Sequence, residues 1–549
     1  MALRQNSILW ICGKPGSGKS TLSKYICKRL TDEVLESPGT ITVSFFFGRT
    51  SDIDKASTRF LRSLLYQMFS QCSTDMGDLL SLASNQQSRS IASSRYRKLS
   101  SPWTSENLFG IFEESLVRIS KYQKVFFIVD ALDECSETER ANVMSISSLI
   151  QSGRLETPVK LCLTGRNSPE WKLRMTDRPN ISKITLEDEN SVDIKRFTEL
   201  RITDLIQDSE DECKGRIVKA LSTKASGVFL WAFLAMKELE RGLQSRVNDP
   251  EKLELSIPIF PDELDGIYST ILDRITQANR HNHVLAVLAW VCFARRPLSV
   301  VELQRALSVD GAGGFSAHEA GISLWAASID EDWLSSHCGG LVEVGEPGQQ
   351  VQIIHQTARD FLLRGTPWSL LPWNKPSKED SRLPYPQGVH NWLAEACLIY
   401  LKLSYDTGKK CVKRKWLRDE SDGFLNYAVD YWTEHLKLSD VPSTAHFTIL
   451  KYLDWPSTRV LGHWAHLHQK KIGEGTSSEY WGWTVLHAAA AFGLHSLALA
   501  ILEIECSNLA RWDIGDANGR TPLSLAAQQG NLDLVKLPLD AGAGYQHNR

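Results

Sequence analysis

The sequence lacks the features that mark several classes of protein. Its 11 cysteines include no CxxC pair, and several of them lie inside apolar runs. This pattern excludes a disulfide framework and zinc-finger spacing, and it indicates buried, reduced thiols. Basic and acidic residues nearly balance at 62 against 65, so the net charge of −3 gives no reason to expect nucleic acid or an anionic membrane as a partner.

Long hydrophobic runs are also absent. The two longest uninterrupted runs, Gly227–Met236 and Val284–Ala294, reach about half of the ~20 residues that a bilayer requires. We interpret both as core helices. The N-terminal apolar segment, Ile8–Cys12, is too short for the core of a signal peptide. We therefore expect a soluble cytoplasmic protein without a membrane partner.

The remaining composition is typical of folded protein, with 42% hydrophobic and 23% charged residues in a chain of 549. At about 150 residues per domain, this length predicts three or four domains. No single hydrophobic core organises a chain of this length.

The most specific motif directly follows the first apolar run. The pattern GxxxxGK[ST] needs glycines because consecutive backbone N–H groups must turn inward on phosphates. Lys19 supplies a positive charge for the β- and γ-phosphates, and Ser20 a hydroxyl for Mg²⁺. The predicted phosphate-binding residues are Gly13, Lys14, Pro15, Gly16, Ser17, Gly18, Lys19, Ser20 and Thr21.

A second motif follows about 110 residues later. The apolar run after Lys124 predicts a strand buried on both faces of a parallel sheet. Asp130 ends this strand and is suited to bind Mg²⁺ opposite Ser20. Asp133 and Glu134 extend toward the γ-phosphate, and one of them is suited to orient the attacking water. The alternative is that both acidic residues cap the next helix.

A further buried strand, Val159–Thr164, is followed by Arg166. A basic residue at this strand end is suited to sense the γ-phosphate. The alternative is a solvated surface arginine.

These motifs, in this order and spacing, resemble the NACHT domain of the signal-transducing ATPases, a branch that includes the NOD-like receptors. The fungal proteins with a nephrocystin-3-like NTPase module are the most similar, and Thr58–Met68 and Ala225–Leu234 support the likeness. The resemblance implies an α/β P-loop NTPase fold with a doubly wound parallel sheet. It further implies binding of ATP or GTP with Mg²⁺, slow hydrolysis and self-association through the NACHT domain.

Downstream of the sheet the pattern becomes mainly helical. Val284–Val309 predicts two helices broken at Arg295–Pro297, and a predicted hairpin at Gly340–Ile354 completes a winged helix. His355 follows the hairpin and resembles the histidine of the MHD segment, which in the family contacts the β-phosphate of ADP. The alternative is a structural histidine. The motif's usual Asp is Gln356 here.

Two departures limit the comparison with the family. Related ATPases carry a proline near the adenine in a GLPL-like segment, whereas Gly227–Leu230 has none, so the contacts to the base are not assigned. Relatives also carry an effector domain before the first strand, where this chain has six residues. We interpret the second departure as a shortened chain.

The C-terminal third begins with a predicted linker at Thr366–Glu379 and continues with helical patterns that we assign to packing. Gly482–Gly493 aligns with Gly519–Gly530 at an offset of 37 residues, which is the ankyrin pattern. Pro538 stands inside the last predicted helix, which we expect it to fray. An ankyrin array predicts a protein partner.

The predicted domains are a NACHT P-loop domain at 1–200, a helical lid at 201–282, a winged helix at 283–365, a helical connector at 380–470 and ankyrin repeats at 480–545. The leading hypothesis is a nucleotide-dependent signalling switch. The alternatives are a metabolic NTPase or small-molecule kinase, and a non-hydrolysing ankyrin scaffold with a vestigial P-loop.

Overall fold

In the computed structural model the chain divides into two compact units, Met1–Ile267 and Tyr268–Arg549. The structure describes residues 7–36, 39–48, 53–72, 104–168, 171, 181–206, 211–244, 254–255, 257–278, 281–309, 324–345, 349–364, 386–407, 423–439, 446–472, 480–504 and 512–540. The linker predicted at Thr366–Glu379 lies outside these residues.

The first unit contains a parallel sheet with the order β2-β3-β4-β1-β5. Its strands are β1 (Ser7–Cys12), β2 (Thr40–Phe46), β3 (Lys124–Asp130), β4 (Val159–Gly165) and β5 (Ile181–Thr185). Its first helices are α1 (Lys19–Glu36), α2 (Ile53–Gln71), α3 (Ser105–Ile119) and α4 (Glu137–Gln151). The predicted parallel α/β fold is confirmed.

The register of the strands brings the sequence motifs to one edge of the sheet. Cys12 at the end of β1 pairs with Gly165 at the end of β4, and Phe46 pairs with Asp130 at the end of β3. Parallel strands all end at the same edge, where open α/β sheets bind their ligands. The loop after β1 and Asp130 therefore share this edge with Arg166.

The centre of the sheet is buried because β3 is apolar on both faces. Val125, Phe127 and Val129 on one face of β3 and Ile128 on the other are at most 2% exposed. Aromatic contacts join the strands to the helices: the rings of Phe112 in α3 and Phe127 lie 5.8 Å apart. Each fully buried side chain of this size contributes roughly 2 kcal/mol from the hydrophobic effect, which fixes the strand ends that carry the site.

The described residues of the first unit include four more helices, and a further helix crosses the unit boundary. They are α5 (Leu186–Glu189), α6 (Ser191–Leu205), α7 (Asp211–Ala225), α8 (Phe229–Gln244) and α9 (Leu264–Gln277). The apolar run Gly227–Met236 opens α8, in which Trp231 and Leu234 are buried. It is the core helix that the sequence predicts.

The second unit begins with a winged helix. Its elements are α10 (His281–Phe293), β6 (Leu298–Ser299), α11 (Val300–Ser308), α12 (Glu331–His337), β7 (Val342–Gly345), β8 (Gln350–Ile353) and α13 (Gln356–Leu362). The strands form an antiparallel sheet in the order β6-β8-β7. The two predicted helices and the hairpin are confirmed.

Four helices follow: α14 (Gln387–Thr407), α15 (Gly423–Ser439), α16 (His446–Tyr452) and α17 (Arg459–Ile472). The two arginines that break the predicted helix pair hold the winged helix to this region. Arg295 Nε lies 2.7 Å from a carboxylate oxygen of Glu434, and Arg296 forms two hydrogen bonds with Glu302 while donating to the carbonyl of Gly423. From the sequence, we predict only that these arginines lie at the break between two helices.

The chain continues with two helix pairs of the ankyrin type. They are α18 (Val485–Phe492) with α19 (His495–Ile504), and α20 (Pro522–Gln529) with α21 (Leu532–Asp540). Thr484 and Thr521 cap the first helix of each pair, and Gly493 and Gly530 end it with the same φ of 72°. The ankyrin repeats are confirmed.

The fraying that we expected at Pro538 is wrong for the backbone, because α21 runs past this residue to Asp540. A proline loses the N–H that would bond to the carbonyl four residues earlier. Close to a helix end that loss affects one hydrogen bond, and the helix continues for two more residues.

Two further features hold across both units, for the residues that the structure describes. None of their helices is both long and apolar enough to cross a membrane. Their nine cysteines are free thiols and are buried or half-buried. Burial raises the pKa of Cys162 to about 12 and that of Cys135 to about 11, so both thiols stay protonated at neutral pH.

Candidate functional site

The loop between β1 and α1 has the backbone conformation of a phosphate-binding loop. Gly16 and Gly18 have φ angles of 77° and 96°, which side-chain-bearing residues rarely adopt. A Cβ atom on Gly16 would also lie 2.8 Å from Cβ of Leu230. Gly16 and Gly18 are therefore required by conformation, and Gly16 also by packing.

Lys19 is the first residue of α1, and its side chain folds back over the loop. Its Nζ donates to the carbonyls of Gly13, at 2.9 Å, and Lys14, at 2.7 Å. Burial lowers the pKa of the Lys19 ammonium, while the carboxylates of Asp133 and Glu187 act in the opposite direction. Ser20 and Thr21 follow it and are exposed.

Asp130 is held by two hydroxyl groups that the sequence did not single out. The side chain is 3% exposed, and its Oδ1 accepts hydrogen bonds from Ser23, at 3.1 Å, and from Thr164. Ser23 lies one helical turn after Lys19, whose carbonyl also accepts from its hydroxyl at 3.0 Å. The buried carboxylate is thus fixed between α1 and β4.

The turn after Asp130 has an unusual backbone. Ala131 has φ 60° and ψ 48°, in the left-handed region. Its N–H donates to Thr164 Oγ1 over 3.3 Å. A non-glycine residue in this region is uncommon and typical of functional sites.

Asp133 and Arg166, both predicted as catalytic, bind each other. Arg166 Nε lies 2.7 Å from Asp133 Oδ2, and the Arg166 backbone N–H donates to Asp133 Oδ1 over 3.0 Å. Both hydrogen bonds involve an ionised group, which makes them stronger than neutral ones. The two predicted residues therefore form one unit at the edge of the sheet.

The capping role considered for Asp133 and Glu134 is wrong. Both residues lie in a single turn of 3-10 helix, Leu132–Glu134, and α4 begins three residues later. The cap of α4 is Ser136, in a reciprocal capping box with Glu139. The sequence does contain a signal for this cap, because Ser136 and Glu139 have the S-x-x-E spacing of a capping box.

Sequence reasoning also missed a set of contacts made by Glu187 in α5 and by Asn190, which joins α5 to α6. Glu187 Oε2 accepts a hydrogen bond from the Lys14 N–H over 3.0 Å. Asn190 donates to the carbonyls of Ser17, at 2.7 Å, and Gly227, at 3.0 Å. The segment Gly227–Leu230, which stands in place of the GLPL-like segment, therefore lies against the glycine-rich loop.

His355 belongs to the second unit and is the N-cap residue of α13. Its Nδ1 accepts a hydrogen bond from the Thr357 N–H over 3.1 Å and lies 2.8 Å from Thr357 Oγ1. That hydroxyl is also 2.9 Å from the phenol oxygen of Tyr268, a fully buried residue. The imidazole therefore has a structural role as a helix cap.

Three family models match the chain. The nephrocystin 3 N-terminal model matches residues 2–166, the winged helix domain of GPI inositol-deacylase matches 272–369, and a model of three ankyrin repeats matches 460–549. Together they cover the parallel sheet with its loop, the antiparallel sheet with its helices and the C-terminal helix pairs.

The chain thus carries a region similar to the nephrocystin 3 N-terminal domain, a winged helix and ankyrin repeats.

Among curated proteins, the chain is similar to the vegetative incompatibility protein HET-E-1 of Podospora anserina, with 26% identity over 483 residues. The match covers 82% of the chain and 33% of HET-E-1. It is also similar to the azaphilone pigments biosynthesis cluster protein L of Monascus ruber, with 24% identity over 36% of the chain and 40% of that protein. The chain thus spans well under two thirds of both relatives.

Among solved structures, the chain is similar to the Aeropyrum pernix ORC1 protein in complex with DNA, at 13% identity and a TM-score of 0.29. That match covers 65% of the chain and 85% of ORC1. Drosophila ORC bound to DNA matches at 11% identity and a TM-score of 0.30, over 66% and 82% of the two chains.

Proposed function

We propose that the NACHT-like chain is a nucleotide-dependent signalling switch that binds ATP with Mg²⁺ and hydrolyses it slowly. One observation carries the proposal: the glycine-rich loop, the buried Asp130 and the Asp133–Arg166 pair share one edge of the parallel sheet. Each of these parts fits a different portion of a nucleoside triphosphate bound with its metal.

The donor set fits phosphate and Mg²⁺. The positive φ angles of Gly16 and Gly18 form a cradle that side chains would distort, and the N-terminus of α1 adds a favourable dipole. Mg²⁺ prefers oxygen ligands and is usually held by one or two carboxylates together with phosphates. Ser20 and Asp130 would supply the protein oxygens, and the metal would neutralise charge on the phosphates.

Lys19 would hold the phosphates directly. Its ammonium now bonds to two carbonyls of its own loop, and its partial burial strengthens its interaction with an anion. Replacing these neutral acceptors with phosphate oxygens strengthens the hydrogen bonds, because donor and acceptor are then both charged.

The Asp133–Arg166 pair would act on the γ-phosphate. A guanidinium has five N–H donors, so Arg166 can keep its bond to Asp133 and contact a phosphate at the same time. The pair holds the Asp133 carboxylate in one orientation, from which it would position water. Because both Asp133 oxygens bind Arg166, we expect slow proton transfer and low turnover. Glu134, in the same turn, is the second candidate for orienting water.

The hydrolysis proposal is tested by comparing Asp133→Asn with the control Asp193→Asn, which changes an exposed carboxylate on α6. We expect wild type to turn over below about 1 per second. Asp133→Asn should be about 100-fold slower, and the control unchanged. Faster turnover without a partner would favour a metabolic NTPase or kinase. Nucleotide binding without any hydrolysis would contradict the catalytic role.

His355 is proposed as the ADP sensor because of its resemblance to the MHD histidine. Its Nδ1 accepts a hydrogen bond from the Thr357 N–H. His355→Ala should lower the ADP that co-purifies with the chain and promote self-association. Thr357→Ala is the matched control, because it disturbs the same cap and keeps the imidazole. Equal ADP in both variants and wild type would leave His355 a structural cap.

The ankyrin repeats are proposed to recognise a protein, and self-association is proposed for the NACHT-like region. The relative HET-E-1 is named as a vegetative incompatibility protein. A recognition event that biases a bistable nucleotide switch agrees with that name. We propose that this recognition and the nucleotide switch operate in the cytoplasm. A thermal-shift titration with Mg-ATP and Mg-GTP distinguishes the two nucleotides.

A further inference from the structure

Asn190 stands where a helix cap is expected, but its side chain serves another purpose. It is the N-cap residue of α6, and it forms no side-chain cap hydrogen bond. The residue is 5% exposed, and its amide nitrogen donates to the carbonyls of Ser17 and Gly227 at 2.7 and 3.0 Å. One buried NH₂ group thus bridges the phosphate-binding loop and the start of α8.

A second contact joins the same two segments. The backbone N–H of Leu230 donates to the Gly16 carbonyl over 3.0 Å. The packing leaves no space for side chains: a Cβ on Gly227 would lie 2.1 Å from the Glu187 carbonyl oxygen. The loop, the turn before α6 and the first turn of α8 are therefore packed as one block.

The bridge fixes the direction of a peptide group in the loop. In a trans peptide, the C=O of one residue and the N–H of the next point in opposite directions. The Ser17 carbonyl points to Asn190, so the Gly18 N–H points away from it. P-loops bind phosphate through such inward-turned N–H groups.

We propose that Asn190 is a positioning residue, which holds the Ser17–Gly18 peptide ready for phosphate and couples the loop to the first turn of α8. The inference rests on the proposed nucleotide binding. In this role, the turn between α5 and α6 positions the loop, and α8 is the element that responds to the loop.

The test compares nucleotide affinity with stability in matched variants. Asn190→Ala removes both donors, and Asn190→Ser keeps a single hydroxyl donor. Asn142→Ala is the control: Asn142 is also a buried amide of the first unit, 8% exposed, and it donates to Ser105 instead of the loop. Affinity for Mg-ATP is measured by calorimetric titration and stability by thermal unfolding.

We expect the Kd of Asn190→Ala to rise roughly tenfold, the loss of about one well-placed hydrogen bond. Asn190→Ser should recover part of this affinity. Asn142→Ala should lower the melting temperature comparably and change Kd less than about twofold. Equal Kd values for Asn190→Ala and wild type, or equal weakening in the control, would reduce Asn190 to a structural residue.

A measurement on the unaltered chain keeps the inference testable if the variants do not fold. Hydrogen exchange of the Leu230 amide should slow when nucleotide binds, because that amide bonds to Gly16 of the loop. Unchanged exchange with bound nucleotide would overturn the coupling to α8. Failure of wild type to bind nucleotide at all would instead refute the proposed function.

Discussion

A buried pair of histidines in the second unit predicts that this unit loses stability in mild acid. His390 in α14 and His435 in α15 face each other with their Nδ1 atoms 3.0 Å apart. His435 Nε2 lies 2.8 Å from the Tyr427 hydroxyl, which accepts from the Arg295 N–H over 2.9 Å. In such a pair of neutral rings, one proton lies between the two Nδ1 atoms. A further proton puts a positive charge in a buried site.

The pKa shifts give the direction and size of the effect. Burial, and then the charge of Arg295, lowers the pKa of His390 from 6.5 to about 4. Burial also lowers the pKa of the fully buried His435. Since the folded pKa is depressed, the stabilisation is fully present above pH 6.5 and is lost as the pH falls toward 4. For His390 alone, linkage gives a loss of about 2 kcal/mol between pH 7.5 and pH 5.

The assay is thermal unfolding followed by tryptophan fluorescence at both pH values. A loss of about 2 kcal/mol lowers the melting temperature by roughly 4–8 °C in a unit of this size. His390→Gln should be less stable at pH 7.5 and should lose much of the pH dependence. The control His466→Gln changes an exposed histidine and should keep it. Parallel pH profiles for wild type and His390→Gln would refute the reasoning.

Two further predictions concern the second unit. Arg296→Ala should destabilise it by about 2 kcal/mol in urea unfolding, because the bidentate partner Glu302 is only 13% exposed. A double-mutant cycle with Glu302→Gln that gives no coupling energy would contradict this. His487→Ala should cost about 2 kcal/mol, because the imidazole caps α18 and lies 3.0 Å from the Arg520 carbonyl of the next repeat. An equal loss in His495→Ala would contradict that assignment.

The sequence predicted the parts of the site whose chemistry depends on local pattern. Lys19 belongs to a motif of fixed spacing, and Asp130 ends an apolar run that predicts a buried strand. The register of the parallel sheet then brought them to one edge. The same reasoning identified Asp133 and Arg166 separately. It did not show that they bind each other, because their distance depends on how β3 and β4 pair.

The residues that the sequence missed are of types that usually have a simpler local role. Ser23 and Thr164 were part of helical and strand patterns, and their contact with Asp130 depends on the packing of α1 against the sheet. Asn190 stands at the N-cap position of α6, where an asparagine usually has a local role. Its actual partners, Ser17 and Gly227, are 173 and 37 residues away in the chain, so no local pattern reveals them.

The central claim is that the loop after β1 binds a nucleotide through Lys19. It is tested most directly by a thermal-shift titration with Mg-ATP, Mg-ADP and Mg-GTP, on wild type and Lys19→Ala. At about 100 times Kd, binding stabilises the folded state by roughly 2.7 kcal/mol and raises the melting temperature by several degrees. The account predicts this shift for wild type with ATP and ADP, and its loss in Lys19→Ala. No shift in wild type with any of the three nucleotides would contradict it.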